Sequence, residues 1–140
     1  MRPILLLIAA FLFCGNLNAQ QRWTVSYQKK IKLKSVEEDP ETNTIGIKRT
    51  RLSAAGDLII TFKVNDGTVN RTVMADDSSR SGIKSWEKVK NTLIIKAADL
   101  RKLFKSREKV LFYFTEIPKD PEKAAVVRMR PVHLFTMVIK

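Results

Sequence analysis

Apolar and polar residues alternate most cleanly between Trp23 and Lys34. Trp23, Val25, Tyr27, Ile31 and Leu33 share one parity, while Thr24, Ser26, Gln28, Lys30, Lys32 and Lys34 share the other. A period of two marks a strand with one buried and one wet face, so this stretch predicts one long strand, interrupted on its apolar side by Lys29.

The same signal recurs in shorter pieces. Ile45 and Ile47 open a second strand that ends near Leu52, and a turn follows at residues 53–57. Leu58, Ile60, Phe62 and Val64 predict a third strand. Asn65-Asp66-Gly67 then gives a hairpin signal, because Asp-Gly accepts the positive φ angles of a tight turn, and residues 68–74 return antiparallel. Residues 83–90 are ambiguous, with Trp86 and Val89 as core anchors, and residues 93–96 form a short strand. Leu100, Leu103 and Phe104 fall at helical spacing after Asp99, which predicts a short helix over 99–106. Residues 110–115 are apolar on both parities, as in a central strand. Residues 124–129 and 132–139 are the last two predicted strands, separated at Pro131.

Seven or eight short strands, one small helix and a turn about every ten residues predict an all-β chain. The expected fold is an antiparallel β-sandwich of immunoglobulin-like architecture, with a small closed barrel as the alternative.

Ahead of the first strand, Arg2, an apolar run from Ile4 to Cys14 and a small-ended polar stretch to Ala19 have the order of a secretory signal peptide. The run is shorter than the about 20 residues that span a bilayer. Phe11-Leu12-Phe13 ahead of Cys14 argues against lipidation. The expected organisation is a cleaved signal over 1–19 and a single domain over 20–140, exported to a bacterial periplasm or cell surface. Cleavage would remove the one cysteine, leaving a domain held by core burial, with no disulfide and no thiol chemistry.

Charge then narrows the partners. The chain has 26 Lys plus Arg against 14 Asp plus Glu, a net +12, and the leader contributes only Arg2 to that excess. Such a field draws anions. For an exported protein these are anionic glycans, lipopolysaccharide and other envelope polyanions rather than cytosolic nucleic acid. The candidate contacts are Lys30, Lys32 and Lys34 in the first strand, Arg101, Lys102 and Lys105 on the helix, and Arg128 and Arg130 in a late strand. Lysines along a strand also protect an edge from pairing with another chain.

Catalytic chemistry is thinly represented. His133 is the single histidine and lies in a predicted strand, where it reads as structural. No nucleophile motif surrounds a serine, and no metal, cofactor or catalytic constellation is expected. Asp76, Asp77 and Glu116 are the carboxylates on which a hydrolase would have to be built. Trp23, Tyr27, Trp86 and Tyr113 are the aromatics from which a carbohydrate-stacking platform would be made, but Trp23 and Tyr27 share the core parity.

The ending Leu134-Phe135-Thr136-Met137-Val138-Ile139-Lys140 resembles the last strand of sandwich-type sorting domains on secreted Bacteroidetes proteins, and Ala19-Gln20-Gln21 is similar to cleavage sites in that group. The resemblance covers the two ends alone. The glycine-rich strand motifs of those domains are missing, and the chain is not assigned to them. The expected function is a non-enzymatic, exported module that binds or assembles at the cell envelope. The alternative is an assembly subunit pairing through an exposed strand edge, for which the doubly apolar strand at 132–139 is the candidate.

Overall fold

The structure, a computed structural model, describes residues 22–35, 37–63, 67–126 and 129–140. Residues 1–19, over which a signal peptide is expected, Asn65 and Asp66 of the hairpin signal, and Arg128 lie outside the described residues.

Two sheets pack face to face. The four-stranded sheet contains β1 (Trp23–Tyr27), β2 (Lys30–Ser35), β4 (Leu58–Phe62) and β7 (Thr92–Ile95), in the order β2-β1-β4-β7 and antiparallel throughout. The five-stranded sheet contains β3 (Thr44–Ile47), β5 (Val69–Asp76), β6 (Gly82–Trp86), β8 (Lys109–Pro118) and β9 (Val132–Ile139), in the order β3-β9-β8-β5-β6. Both sheets are open, so the architecture is the sandwich and not the barrel. One pair, β3 with β9, is parallel. The core interleaves residues of both inner faces. Phe114 meets the edges of Trp23 and Phe62 at 5.9 and 5.4 Å, and Phe112 stacks on Phe135 at 4.5 Å.

The stretch predicted as one strand over 23–34 is a hairpin. The chain reverses at Gln28 and Lys29, with φ of 51° and 63°, the backbone of a two-residue turn with both central residues left-handed. Neither residue is a glycine or asparagine, so the turn carries no sequence signature. Its strain is offset locally, because the Gln28 side-chain amide donates to the Arg51 carbonyl at 3.0 Å. Gly56 lets the turn approach, since a Cβ there would collide with the Gln28 side chain.

Among the described residues, three short helices stand where one was expected: α1 (Arg49–Leu52), α2 (Ala97–Leu103) and α3 (Pro121–Val126). The strand expected to run to Leu52 stops at Ile47, and α1 follows. The helix expected over 99–106 starts two residues earlier, because the Asp57 carboxylate accepts from the Ala97 N–H at 3.2 Å and closes its first turn from outside. The strand predicted over 124–129 is instead helical to Val126. Asp120 accepts from the Glu122 N–H at 3.0 Å, and Pro121 occupies the first helical position, where its missing N–H costs nothing.

Of the three register shifts among the described residues, those in β2 and β9 decide which side chains reach which face. In β2, Leu33 pairs with core-facing Val25, but Ile31 pairs with outward-facing Ser26, so Lys32 is an extra, bulged residue. In β9, Phe135 pairs with Phe112 but His133 pairs with Tyr113, leaving Leu134 as the extra residue. The Leu134 carbonyl accepts from the Trp23 indole N–H at 3.2 Å, a buried bond that ties the bulge to the opposite sheet.

The strand at 132–139 is not an edge. It lies between β3 and β8, and its two apolar parities are explained by burial on both faces. A strand-adding partner would have to use β2, β7, β3 or β6 instead.

Candidate functional site

A cationic, hydrogen-bonded construction stands at the end of the sandwich where β1 turns into β2. Two segments converge on the α1 backbone. Tyr27 donates its hydroxyl hydrogen to the Arg51 carbonyl at 3.1 Å, Gln28 donates to the same oxygen, and the Arg101 guanidinium reaches the Leu52 carbonyl at 3.4 Å from α2. These bonds fix the hairpin turn, α1 and α2 as one unit. Lys29, Lys48, Arg49, Arg51, Arg101 and Lys105 on or beside it are all exposed. Lys140 joins from the end of β9, where its N–H donates to the Ile47 carbonyl at 2.8 Å and its side chain runs across Gly46, where any Cβ would collide with it.

Acidic groups are few there. Asp57 is occupied by Lys96 at 3.2 Å and by the start of α2, and Asp99 lies 3.8 Å from Lys102. Tyr27 is itself enclosed: burial raises its hydroxyl above the ordinary pKa of 10.0, against the opposing pull of Arg101 and Arg51. The end therefore has an apolar, hydrogen-bonded floor and a cationic rim.

The candidate contacts divide among several places. Lys30 is the cross-strand neighbour of Tyr27, so it belongs to this end with Arg101, Lys102 and Lys105. Lys32 and Lys34 run up the β2 edge. They do not form one row with Lys30, because the bulge at Lys32 separates their registers. Arg130 lies at the opposite end, bonded to Glu38 at 2.7 Å, and Arg128 lies outside the described residues. The expected clusters thus do not merge into one patch. The sequence reading missed Lys29, Lys48, Arg49, Arg51 and Lys140. The run Lys48-Arg49-Thr50-Arg51 was the available signal, and reading it as the tail of a strand concealed it.

The opposite end uses its arginines internally. Arg71 is buried, stacks 4.0 Å over the Phe62 ring, and bonds Glu116 at 2.9 Å and the Lys90 carbonyl at 2.6 Å. Beside it is an open concavity lined in part by Lys88, Lys90 and Lys119.

The remaining chemical candidates are placed as follows. Glu116 is held by Arg71. Asp77 accepts from the Ser79 and Ser81 N–H groups at 2.9 Å each and shapes its own loop. Asp76 pairs with Leu111 while Glu116 pairs with Arg71, five positions apart along the same two strands, or roughly 17 Å at about 3.4 Å per residue. These carboxylates do not share a site. His133 is buried, with Nε2 2.8 Å from the Thr136 hydroxyl, and among the described residues its Nδ1 has no hydrogen-bond partner. Burial holds its pKa below the ordinary 6.5, Arg80 pushes the same way, and Glu38 and Asp39 oppose. Trp23, Tyr27 and Tyr113 are buried and Trp86 half-buried, so these aromatics form no stacking platform. Among the described residues, no three His, Cys, Asp or Glu side chains gather as a metal site requires, and no helix is long and apolar enough to cross a membrane.

No protein-family model matches this sequence, and no curated protein matches it.

Proposed function

We propose that the protein is an exported, non-enzymatic binding module that engages anionic polymers of the cell envelope, acidic glycans or lipopolysaccharide, through the end built from the β1–β2 turn, α1 and α2. One observation carries the reading: two segments distant in sequence, the β1–β2 turn and α2, are hydrogen-bonded to one stretch of α1 backbone at Arg51 and Leu52, and all three elements present exposed basic side chains there. A net charge of +12 adds a long-range field that concentrates anions before contact.

Recognition at such an end is electrostatic and exposed, so it should weaken as salt rises and the screening length shortens from about 30 Å at 0.01 M toward about 8 Å at 0.15 M. The test is titration with lipopolysaccharide and with soluble polyphosphate across that range. Reversing charge at Arg49, Arg51 and Lys105 should abolish binding to both, while reversal at Lys88, Lys90 and Lys119 should leave it nearly intact. Salt-indifferent binding, or binding lost only with the second set, would move the site elsewhere.

A further inference from the structure

The outer face of the four-stranded sheet carries a feature that the cationic end does not explain. Its registers align Ile31 with Ser26, Ser26 with Ile59, and Ile59 with Ile94, one continuous row across all four strands. Ile31 is 58 % and Ile94 49 % exposed, and Ile59 is half-buried. The next row, Lys34, Thr24, Thr61 and Thr92, is polar. A solvated sheet face normally alternates apolar-in with polar-out. Three β-branched aliphatic residues in the outward register, Ile59 and Ile94 adjacent and Ile31 set one strand apart from them by Ser26, depart from that rule, and Ile31 is there only because the β2 bulge turned it out.

The surroundings of the row are cationic. Lys29 is at the hairpin turn, Lys32 and Lys34 lie along the β2 edge, and Lys96 follows β7; Asp57 is the acidic neighbour and is bridged to Lys96. Ile59 also lines a concavity shared with Lys29, Ala55 and Asp57, which joins the row to the cationic end. An apolar strip bordered by lysines matches an anionic bilayer surface, where aliphatic side chains enter the boundary between headgroups and acyl chains and ammonium groups meet lipid phosphate. A second copy of the chain fits less well, because face-to-face stacking would bring two lysine borders together.

We infer that this sheet face docks onto anionic lipid bilayers, with Ile31, Ile59 and Ile94 entering the interface and the bordering lysines pairing with lipid phosphates. The inference is independent of polymer binding at the cationic end, and a single set of measurements separates the two. The protein and its Ile31→Ser/Ile94→Ser variant are sedimented with vesicles of phosphatidylcholine alone and with an equal mixture of phosphatidylcholine and phosphatidylglycerol. Both proteins share residues 1–21, whose own apolar run makes the difference between them the readout. The double variant should partition onto the mixed vesicles at least about tenfold more weakly, the loss expected when two aliphatic side chains no longer leave water. It should bind soluble polyphosphate as tightly as the parent. A single Ile94→Trp variant should show indole emission shifted to the blue on the mixed vesicles. Equal partitioning of parent and double variant, or an unshifted indole, overturns the inference and leaves polymer binding at the cationic end standing. Light scattering that shows a dimer abolished by Ile31→Ser/Ile94→Ser, without vesicle binding by the parent, also overturns it. Loss of polyphosphate binding by the parent with vesicle partitioning intact would instead remove the cationic-end reading.

Discussion

The two sheets turn different outer faces to their surroundings. On the five-stranded sheet, the outer face of the β8–β9 pair is dry: Tyr113, His133 and Thr136 are 3 %, 1 % and 4 % exposed. Arg80 sits 5.0 Å from the Tyr113 ring centre, and Glu38 accepts from the His133 N–H at 2.8 Å, so flanking connections close over these residues. On the four-stranded sheet the corresponding face is open, and among the described residues none covers Ile31 and Ile94 of its isoleucine row. Both faces carry outward apolar groups beside a β-bulge, but among the described residues only one is covered. Outward apolar residues that the fold encloses contribute to stability, whereas those it leaves open invite an external surface.

That contrast can be broken by substitution. The largest effect is expected at Tyr113→Ala, which empties the dry face and should cost about 3 kcal/mol, as for other buried aromatics cut to alanine; urea unfolding measures it, and a cost below about 1 kcal/mol would show that the face is not packed as described. Thr136→Val keeps the shape but removes the hydroxyl at His133 Nε2, leaving a buried ring nitrogen unpaired at a cost of about 1–3 kcal/mol. A Thr136→Ser variant should recover most of that loss.

A pH effect sharpens the same face. The folded-state pKa of His133 is depressed by burial, so the unfolded chain binds its proton first as pH falls. Stability from this group is therefore complete above the ordinary pKa of about 6.5 and declines below it. Glu38 is depressed by its bonds to Arg130 and to the His133 N–H. Its contribution is complete above its ordinary pKa of 4.5 and is lost as pH falls through the lower folded value. Denaturant midpoints of wild type and His133→Gln across pH 8 to 5 should converge as the pH drops if the histidine is the group responsible. The smallest effect belongs to the open face: Ile31→Ser and Ile94→Ser should each change stability by no more than about 0.5 kcal/mol. A loss as large as that of Tyr113→Ala would mean that the row is packed rather than open.

Much of the sandwich was legible in the chain. Alternation located β1 and β4 within a few residues, because burial on one face imposes a period of two whatever the neighbouring strand is, while runs apolar on both parities marked the central β8 and β9 and the Asp-Gly signal marked the return through β5. The errors fell where local chemistry competed with that period. Gln28-Lys29 turns without the residues that usually announce a turn, and Asp120-Pro121-Glu122 starts a helix that runs on into the apolar stretch expected as a strand from residue 124. The basic end was half legible. Lys30, Arg101, Lys102 and Lys105 were recognised, but Arg49 and Arg51 were not, since only the fold brings α1 against α2.

What the sequence by itself determined is the alternation, and with it the two-sheet class, most of the core and the cationic excess. Tertiary structure alone decided the registers. A bulge inserts one residue and reverses the parity of everything beyond it, and nothing in the local pattern marks where that happens. At Lys32 the reversal turned Ile31 out of the core parity and into an exposed row. At Leu134 it brought His133 and Thr136, of opposite parity in the sequence, into hydrogen-bonding distance on one dry face. Strand identity follows from each segment's own residues; register follows from what the partner strands and the opposite sheet accept, as the Trp23 bond to the bulged Leu134 carbonyl shows.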